Sequence, residues 1–256
     1  MTDPSPPVAL VTGAGRRIGR AIAIDLARHG WAVAIHHHLS GDDAAETLAA
    51  IERDNGRGCI VEADLADEAQ SSDLVMQATE ALRPVSLLVN NASNFERDEV
   101  DTVDRQSWDA HMEINLRAPF LLIQAMAAAL PADTSGNVIN LLDQRVWNLT
   151  PHFVSYTLSK SGLWTLTQTL ALALAPGIRV NAIGPGPTLP SARQTEEQFA
   201  CQWASTPLAR GTTLEEICAT VQFLLAAPAV TGQMIALDGG QHLSWAPEPT
   251  TGGYEE

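Results

Sequence analysis

The sequence predicts a single α/β domain built on a doubly wound parallel sheet with helices on both faces. Short apolar runs alternate with segments of helical periodicity along the whole chain, and a glycine-rich turn follows the first run. No repeat of fixed period and no low-complexity stretch interrupts that alternation. With 256 residues and 45% hydrophobic content, the chain can bury one sizeable core.

In chain order, Val8 to Thr12 reads as a strand, Ile18 to His29 as a helix stopped by Gly30, and Trp31 to His36 as a second strand. An acidic helix from about Asp42 to Asn55 ends at Gly56. A strand at Cys59 to Ala63, a helix from about Asp67 to Leu82 and a strand at Ser86 to Asn90 follow. One long helix is expected from about Val103 to Leu130, then a strand at Asn137 to Leu142, a helix over about Phe153 to Leu174 and a strand at Ile178 to Ile183. A polar loop with a helix near Thr195 to Trp203, a helix at Leu214 to Ala226 and a strand at Gln233 to Leu237 close the order. Met1 to Pro7 and about Trp245 to Glu256 read as polar or Pro/Gly-rich tails. Repeated βα units of this length imply parallel strands, and such sheets bind ligands at the carboxyl ends of the strands near the switch in strand order.

Fifteen basic against thirty acidic residues give a net charge of -15, which disfavours nucleic acid and anionic membrane surfaces as partners. No apolar stretch reads as a membrane span and the N-terminus lacks the order of a signal peptide, so a cytoplasmic protein is expected. Cys59, Cys201 and Cys218 are an odd, scattered set that suits neither disulfides nor a metal site. Two glycosylation sequons, at Asn91 and Asn148, carry no weight in such a compartment.

The first βα turn reads Thr12-Gly13-Ala14-Gly15-Arg16-Arg17-Ile18-Gly19. Gly13 permits a tight turn, Gly19 permits close helix packing, and the helix N-terminus offers amides to a pyrophosphate. At the end of the second strand, a carboxylate would favour a plain ribose, and none is there. Instead the chain has His36-His37-His38-Leu39-Ser40, which with Arg16 and Arg17 supplies donors and positive charge suited to the 2′-phosphate of NADP(H). A metal pair at His36 and His38 lacks accompanying ligands, so no metal is expected. Tyr156 and Lys160 stand four apart on a predicted helix and share a face. A nearby ammonium stabilises phenolate and is expected to lower the Tyr156 pKa.

The order of the glycine turn with Arg17, Asn90-Asn91-Ala92-Ser93, Asn115, Tyr156/Lys160 and Val180-Asn181-Ala182-Ile183-Gly184-Pro185-Gly186 resembles the short-chain dehydrogenase/reductase family over roughly Pro7 to Leu243. The closing Leu237-Asp238-Gly239-Gly240 is similar to that family's C-terminal signature. The resemblance implies a Rossmann-type sheet, a proton-relay set at Asn115, Tyr156 and Lys160, cofactor contacts at Asn91 and Ala92, and an adenine pair at Asp64-Leu65. It also implies a homotetramer in which the helices near Val103 to Leu130 and Phe153 to Leu174 meet their symmetry mates.

One departure is the most informative feature. Thirteen residues before Tyr156, where carbonyl-reducing members usually have serine, stands Asp143. An ionised carboxylate can only accept hydrogen bonds, so it disfavours the negative charge developing on a ketone oxygen. A pterin offers N–H donors, and its reducible C=N nitrogen must gain a proton. Asp143, Tyr156, Lys160, Arg17, Ser93 and Phe95 together resemble the pteridine reductase pattern. That resemblance implies NADPH-dependent reduction of a dihydropterin or dihydrofolate, with Phe95 covering one pterin face and Ser93 and Arg17 reaching polar atoms of ligand or cofactor. The alternatives are a carbonyl or 3-oxoacyl reductase, which Asp143 argues against, and a non-catalytic NADP sensor, which leaves Asn115, Tyr156 and Lys160 unexplained. Leu39 departs from the basic or polar residue common there in pteridine reductases. Gln144-Arg145-Val146-Trp147 and Pro187-Thr188-Leu189-Pro190 read as specificity loops.

Overall fold

A computed structural model describes residues 5–191 and 193–243. The expected C-terminal tail and the first four residues of the N-terminal one lie outside the described residues. Seven parallel strands stand in the order β3-β2-β1-β4-β5-β6-β7. They are β1 (Val8–Val11), β2 (Ala32–His37), β3 (Arg57–Glu62), β4 (Val85–Asn90), β5 (Gly136–Leu141), β6 (Ile178–Pro185) and β7 (Met234–Leu237). The order reverses between β1 and β4, and a crevice at the carboxyl ends follows from that switch.

The helices are α1 (Arg17–Arg28), α2 (Gly41–Arg53), α3 (Glu68–Ala81), α4 (Arg105–Met112), α5 (Ala118–Ala129), α6 (Val154–Ala173), α7 (Glu196–Ala204) and α8 (Leu214–Ala226). The central strands β1 and β4 are buried at every position because both faces of the sheet are covered. In β1, Val8 and Leu10 pack into one layer with Leu74 and Val75 of α3 and Leu122 and Met126 of α5. Ala9 and Val11 pack into the other with Ile22 and Leu26 of α1 and Ile217 and Val221 of α8. No described helix is long and apolar enough to cross a membrane.

The expected long helix is corrected in one respect. Between α4 and α5 the chain makes a π-helical turn over Glu113–Arg117, and fully buried Asn115 sits in it. Apolar periodicity runs through this stretch, so pattern alone reads it as one helix. Such wide turns mark functional positions in helices.

His36 ties the crevice floor together. Its Nδ1 accepts from the Gly13 N–H at 3.0 Å, and its Nε2 lies 3.1 Å from the Ala63 carbonyl oxygen, so β2 pins both the β1–α1 turn and the exit of β3. Burial lowers its pKa from 6.5 to about 4, against the pull of the Ala63 carbonyl and with His37 and His38 adding to the lowering. Above pH 6.5 both folded and unfolded states are neutral here. As pH falls from 6.5 towards 4 the unfolded imidazole takes up a proton that the folded one refuses, so this residue should remove about 3 kcal/mol of stability across that window. Chemical denaturation at stepped pH should show that slope in the wild-type protein and a flatter one in His36→Gln.

Candidate active site

One cleft of about 1080 Å³ opens at the carboxyl edge of the sheet. Every site residue predicted from sequence lines it except Asn115, which is buried behind its wall. Gly13 has φ of +62° and Gly19 has no room for a side chain, since a Cβ there would lie 2.3 Å from the Gly13 oxygen. The N-cap of α1, Arg16, makes no side-chain capping bond, which leaves the first-turn amides beside Ile18 to an incoming anion.

At the far end of the cleft lie His37, His38, Ser40, Asp64 and Leu65. His36 is corrected as a source of positive charge: it lines the floor, but it is buried, neutral at pH 7 and engaged through both ring nitrogens. His37 Nδ1 lies 3.2 Å from the His38 carbonyl oxygen, and His38 Nδ1 stands 3.8 Å from the Asp64 carboxylate. Arg17 also departs from its expected place beside the end of β2. Its guanidinium donates to the carbonyls of Pro190 at 3.0 Å and Leu189 at 3.3 Å, on the loop after β6. Because β2 and β6 lie on opposite sides of β1, Arg16 is left as the arginine for the β2 end.

Asn91 stiffens the turn from the side, donating through Nδ2 to the Thr12 and Gly13 carbonyls, while the Thr12 hydroxyl accepts from the Asn91 and Ala92 amides. Asn115 is committed to the protein itself. Its Oδ1 accepts from the Ser93 hydroxyl at 3.1 Å and the Asn94 N–H at 2.8 Å, and its Nδ2 donates to the Asn94 carbonyl and the Ser159 hydroxyl. The π-helical turn thus fastens the strand-exit loop bearing Ser93 to α6. Pro185 and Gly186 form the opposite wall, with Gly186 too close to Asp238 for a Cβ.

The reactive corner is built from β5 and α6. Lys160, buried, donates from Nζ to the Leu141 carbonyl at 2.8 Å, and burial lowers its pKa to about 8 against the pull of Asp143. The Tyr156 hydroxyl donates to Asp143 Oδ2 at 3.0 Å. The expected lowering of the Tyr156 pKa is reversed: burial first, then the Asp143 carboxylate, push the phenol well above its ordinary value, while Arg145 pulls it down. The phenol is therefore a proton donor at neutral pH rather than a base.

Sequence reasoning left Arg145 unread. Asp143 caps the 3₁₀ turn Gln144–Val146, its Oδ1 accepting from the Arg145 N–H at 2.8 Å, and the Arg145 guanidinium meets Oδ2 at 3.1 Å. An Asp-x-Arg spacing at a strand exit was the available signal. Phe153 was also missed. It enters α6 in the left-handed region at φ 58°, and its ring stacks on Phe95 at 4.7 Å and 2°. The Phe95 ring also meets Tyr156 edge-on at 4.7 Å. Arg145 lies 5.6 Å from the Phe95 ring centre and Arg193 lies 5.8 Å from it. The result is an aromatic and cationic wall facing a protonated phenol.

A family model described as Enoyl-(Acyl carrier protein) reductase matches residues 13–242. A solved FolM alternative dihydrofolate reductase 1 from Brucella suis, in complex with NADP, is 51% identical over 96% of this chain and 98% of its own, with a TM-score of 0.91. Its counterpart from Brucella canis, also complexed with NADP, is 49% identical over 93% and 95%, with a TM-score of 0.89. A 3-oxoacyl-[acyl-carrier-protein] reductase from Synechocystis sp. is 32% identical over 94% of this chain and 98% of that protein.

The Asp143–Arg145 pair is largely buried, with side-chain exposures of 14% and 10%. Removing one member of such a pair strands the other charge, so Arg145→Met should destabilise the fold by about 3 kcal/mol, read as a lower midpoint in urea.

Proposed function

Since the chain belongs to the short-chain dehydrogenase/reductase family, we propose that it is an NADPH-dependent reductase of a pteridine C=N bond, taking a dihydropterin or dihydrofolate to the tetrahydro form. The observation that carries this reading is Asp143. It occupies the place of the usual serine, accepts from the phenol and is anchored by Arg145. A ketone needs donors at that corner, whereas a pterin brings N–H groups that a carboxylate accepts. The Brucella relatives are dihydrofolate reductases by name and share about half of this chain's residues.

The cleft fits a dinucleotide with a 2′-phosphate. The open amides of α1 suit the pyrophosphate, Arg16, His38 and Ser40 the ribose phosphate, and Asp64 and Leu65 the adenine. Lys160 and Tyr156, with Asn91, Ala92, Pro185 and Gly186, suit the nicotinamide end. When bound, NADPH supplies the hydride. The chain's own residues do the remaining work. Phe95 offers an aromatic wall for the flat ring, Asp143 accepts from ring N–H groups, and the Tyr156–Asp143 pair holds the proton that the imine nitrogen gains. One hydride on carbon and one proton on nitrogen convert C=N to CH–NH, and solvent returns the proton to the pair.

A homotetramer is part of this reading. Leu158 and Leu172 on α6 are 46% and 84% exposed, and a symmetry mate packed on that helix would cover them. The cytoplasm is the compartment that suits a reduced NADP pool and three unpaired cysteines.

An NADPH-oxidation assay across dihydrofolate, dihydropterins and small ketones should find turnover with the pteridines. Tyr156→Phe should lower kcat on a pterin by roughly 100-fold with NADPH affinity little changed. Asp143→Ser should abolish pterin turnover in a folded protein, and near-full activity in that variant would overturn the reading. On the cofactor side, titration should find NADPH bound at least about tenfold more tightly than NADH, or about 1.4 kcal/mol. Arg16→Ala should narrow that gap, and an unchanged ratio would remove Arg16 from the phosphate site.

A further inference from the structure

We propose that His111 is a positioning residue for this reaction, holding the segment that carries Phe95 against the first turn of α6 through a buried chain to Ser155 and Asp98. The proposal rests on the cleft being a pterin site, and it concerns a cluster that hydride and proton transfer leave unused.

His111, Ser155 and Asp98 are 0%, 0% and 3% exposed. The Glu96 N–H donates to His111 Nε2 at 3.1 Å, so the imidazole proton is on Nδ1, which lies 2.7 Å from Ser155 Oγ. The Ser155 hydroxyl in turn donates to Asp98 Oδ2. That carboxylate also accepts from the Ser107 hydroxyl at 3.0 Å and from the Ser155 N–H at 3.1 Å. The Asp98 carbonyl takes the Phe153 N–H at 2.8 Å. Each donor along the chain has an acceptor, and only one orientation satisfies it. The other tautomer or a protonated imidazole would set an N–H against the Glu96 N–H, and a flipped ring would set a C–H there.

The serine is no nucleophile here, because its oxygen accepts from histidine and its proton goes to aspartate. What the chain does is mechanical. It joins three elements: the loop after β4, α4 and the start of α6. Phe95 directly precedes Glu96, Phe153 and Tyr156 flank Ser155, and the His111 ring meets the Tyr156 ring edge-on at 5.9 Å. The aromatic wall and the proton donor are thereby held in one relative geometry. Charge supports this arrangement. Burial lowers the His111 pKa against Asp98, the Ser107 backbone and Glu96, with Lys160 adding to the lowering, in keeping with an Nε2 that accepts from the Glu96 N–H. Burial opposes ionisation of Asp98, but the hydrogen bonds from Ser155 and Ser107 leave its pKa below the ordinary value.

The test uses the full chain, with His111→Leu removing the acceptor and His111→Gln keeping one for the Glu96 N–H. In the leucine variant, exchange of the Glu96 amide should quicken at least about tenfold. KM for the dihydropterin should rise roughly tenfold and exceed the loss in kcat, with the NADPH Kd within about twofold. Glutamine should restore most of both. Unchanged Glu96 exchange and KM in a folded leucine variant would overturn the proposal, as would an equal loss of NADPH affinity, which marks general loosening. If the leucine variant does not fold, Ser155→Ala breaks the middle link and must show the same split. Nitrogen-15 spectra of the wild-type protein must also place the His111 proton on Nδ1, and a proton on Nε2 sinks the idea. Exchange and tautomer measurements need no substrate, so wild-type protein that reduces no pterin would count against the proposed function and not against the clip.

Discussion

Asp143 Oδ2 is the atom on which the substrate side of the cleft depends, because a phenol at 3.0 Å and a guanidinium at 3.1 Å converge on it. A carboxylate at this place cannot stand alone. It is largely buried, so it needs a counter-charge, and Arg145 supplies one from two residues away through the same 3₁₀ turn that Asp143 caps. Arg145 in turn needs a surface that tolerates a partly desolvated cation, and the stacked Phe95 and Phe153 rings, 5.6 and 5.1 Å away, provide it. Asp143 thus adds to burial in keeping the phenol protonated, and it links the arginine and the aromatic wall to the same corner.

The two halves of the cleft rest on different physics. At the β1–α1 turn, recognition is a matter of backbone: glycines that let chains approach, uncapped amides and a buried histidine holding the turn in register. At the β5–α6 corner it is a matter of side chains whose protonation states are set by burial and by one another. Lys160 bridges the halves, anchored to the last residue of β5 while lining the cleft between them. The β1–α1 half is therefore tied to the sheet itself, whereas the β5–α6 half depends on side chains carried by the loops at the strand exits.

Much of this was legible in the sequence. The strands were visible as apolar runs because parallel strands are buried on both faces, and their limits fall close to those observed. The residues gathered in the cleft were named because strand exits carry the chemistry in this architecture. What escaped depended on contacts that no local pattern encodes. Arg17 finds its partner 173 residues away, so its spacing said nothing of its destination. His36 looked like a cation until burial and two backbone partners made it a neutral pin. The wide turn at Asn115 was hidden by uninterrupted apolar periodicity, and Phe153's left-handed entry into α6 has no sequence signature in a bulky residue.

Arg17 itself occupies a backbone conformation with φ 53°, where an L side chain is disfavoured by about 1 kcal/mol. Glycine would hold the same conformation free of that penalty. The protein keeps the glycine geometry but fills it with a long side chain that reaches over to the Leu189 and Pro190 carbonyls. The first βα turn is thus joined directly to the loop after β6. A turn built this way gives up some backbone ease, and one side chain then fixes its position relative to the loop after β6.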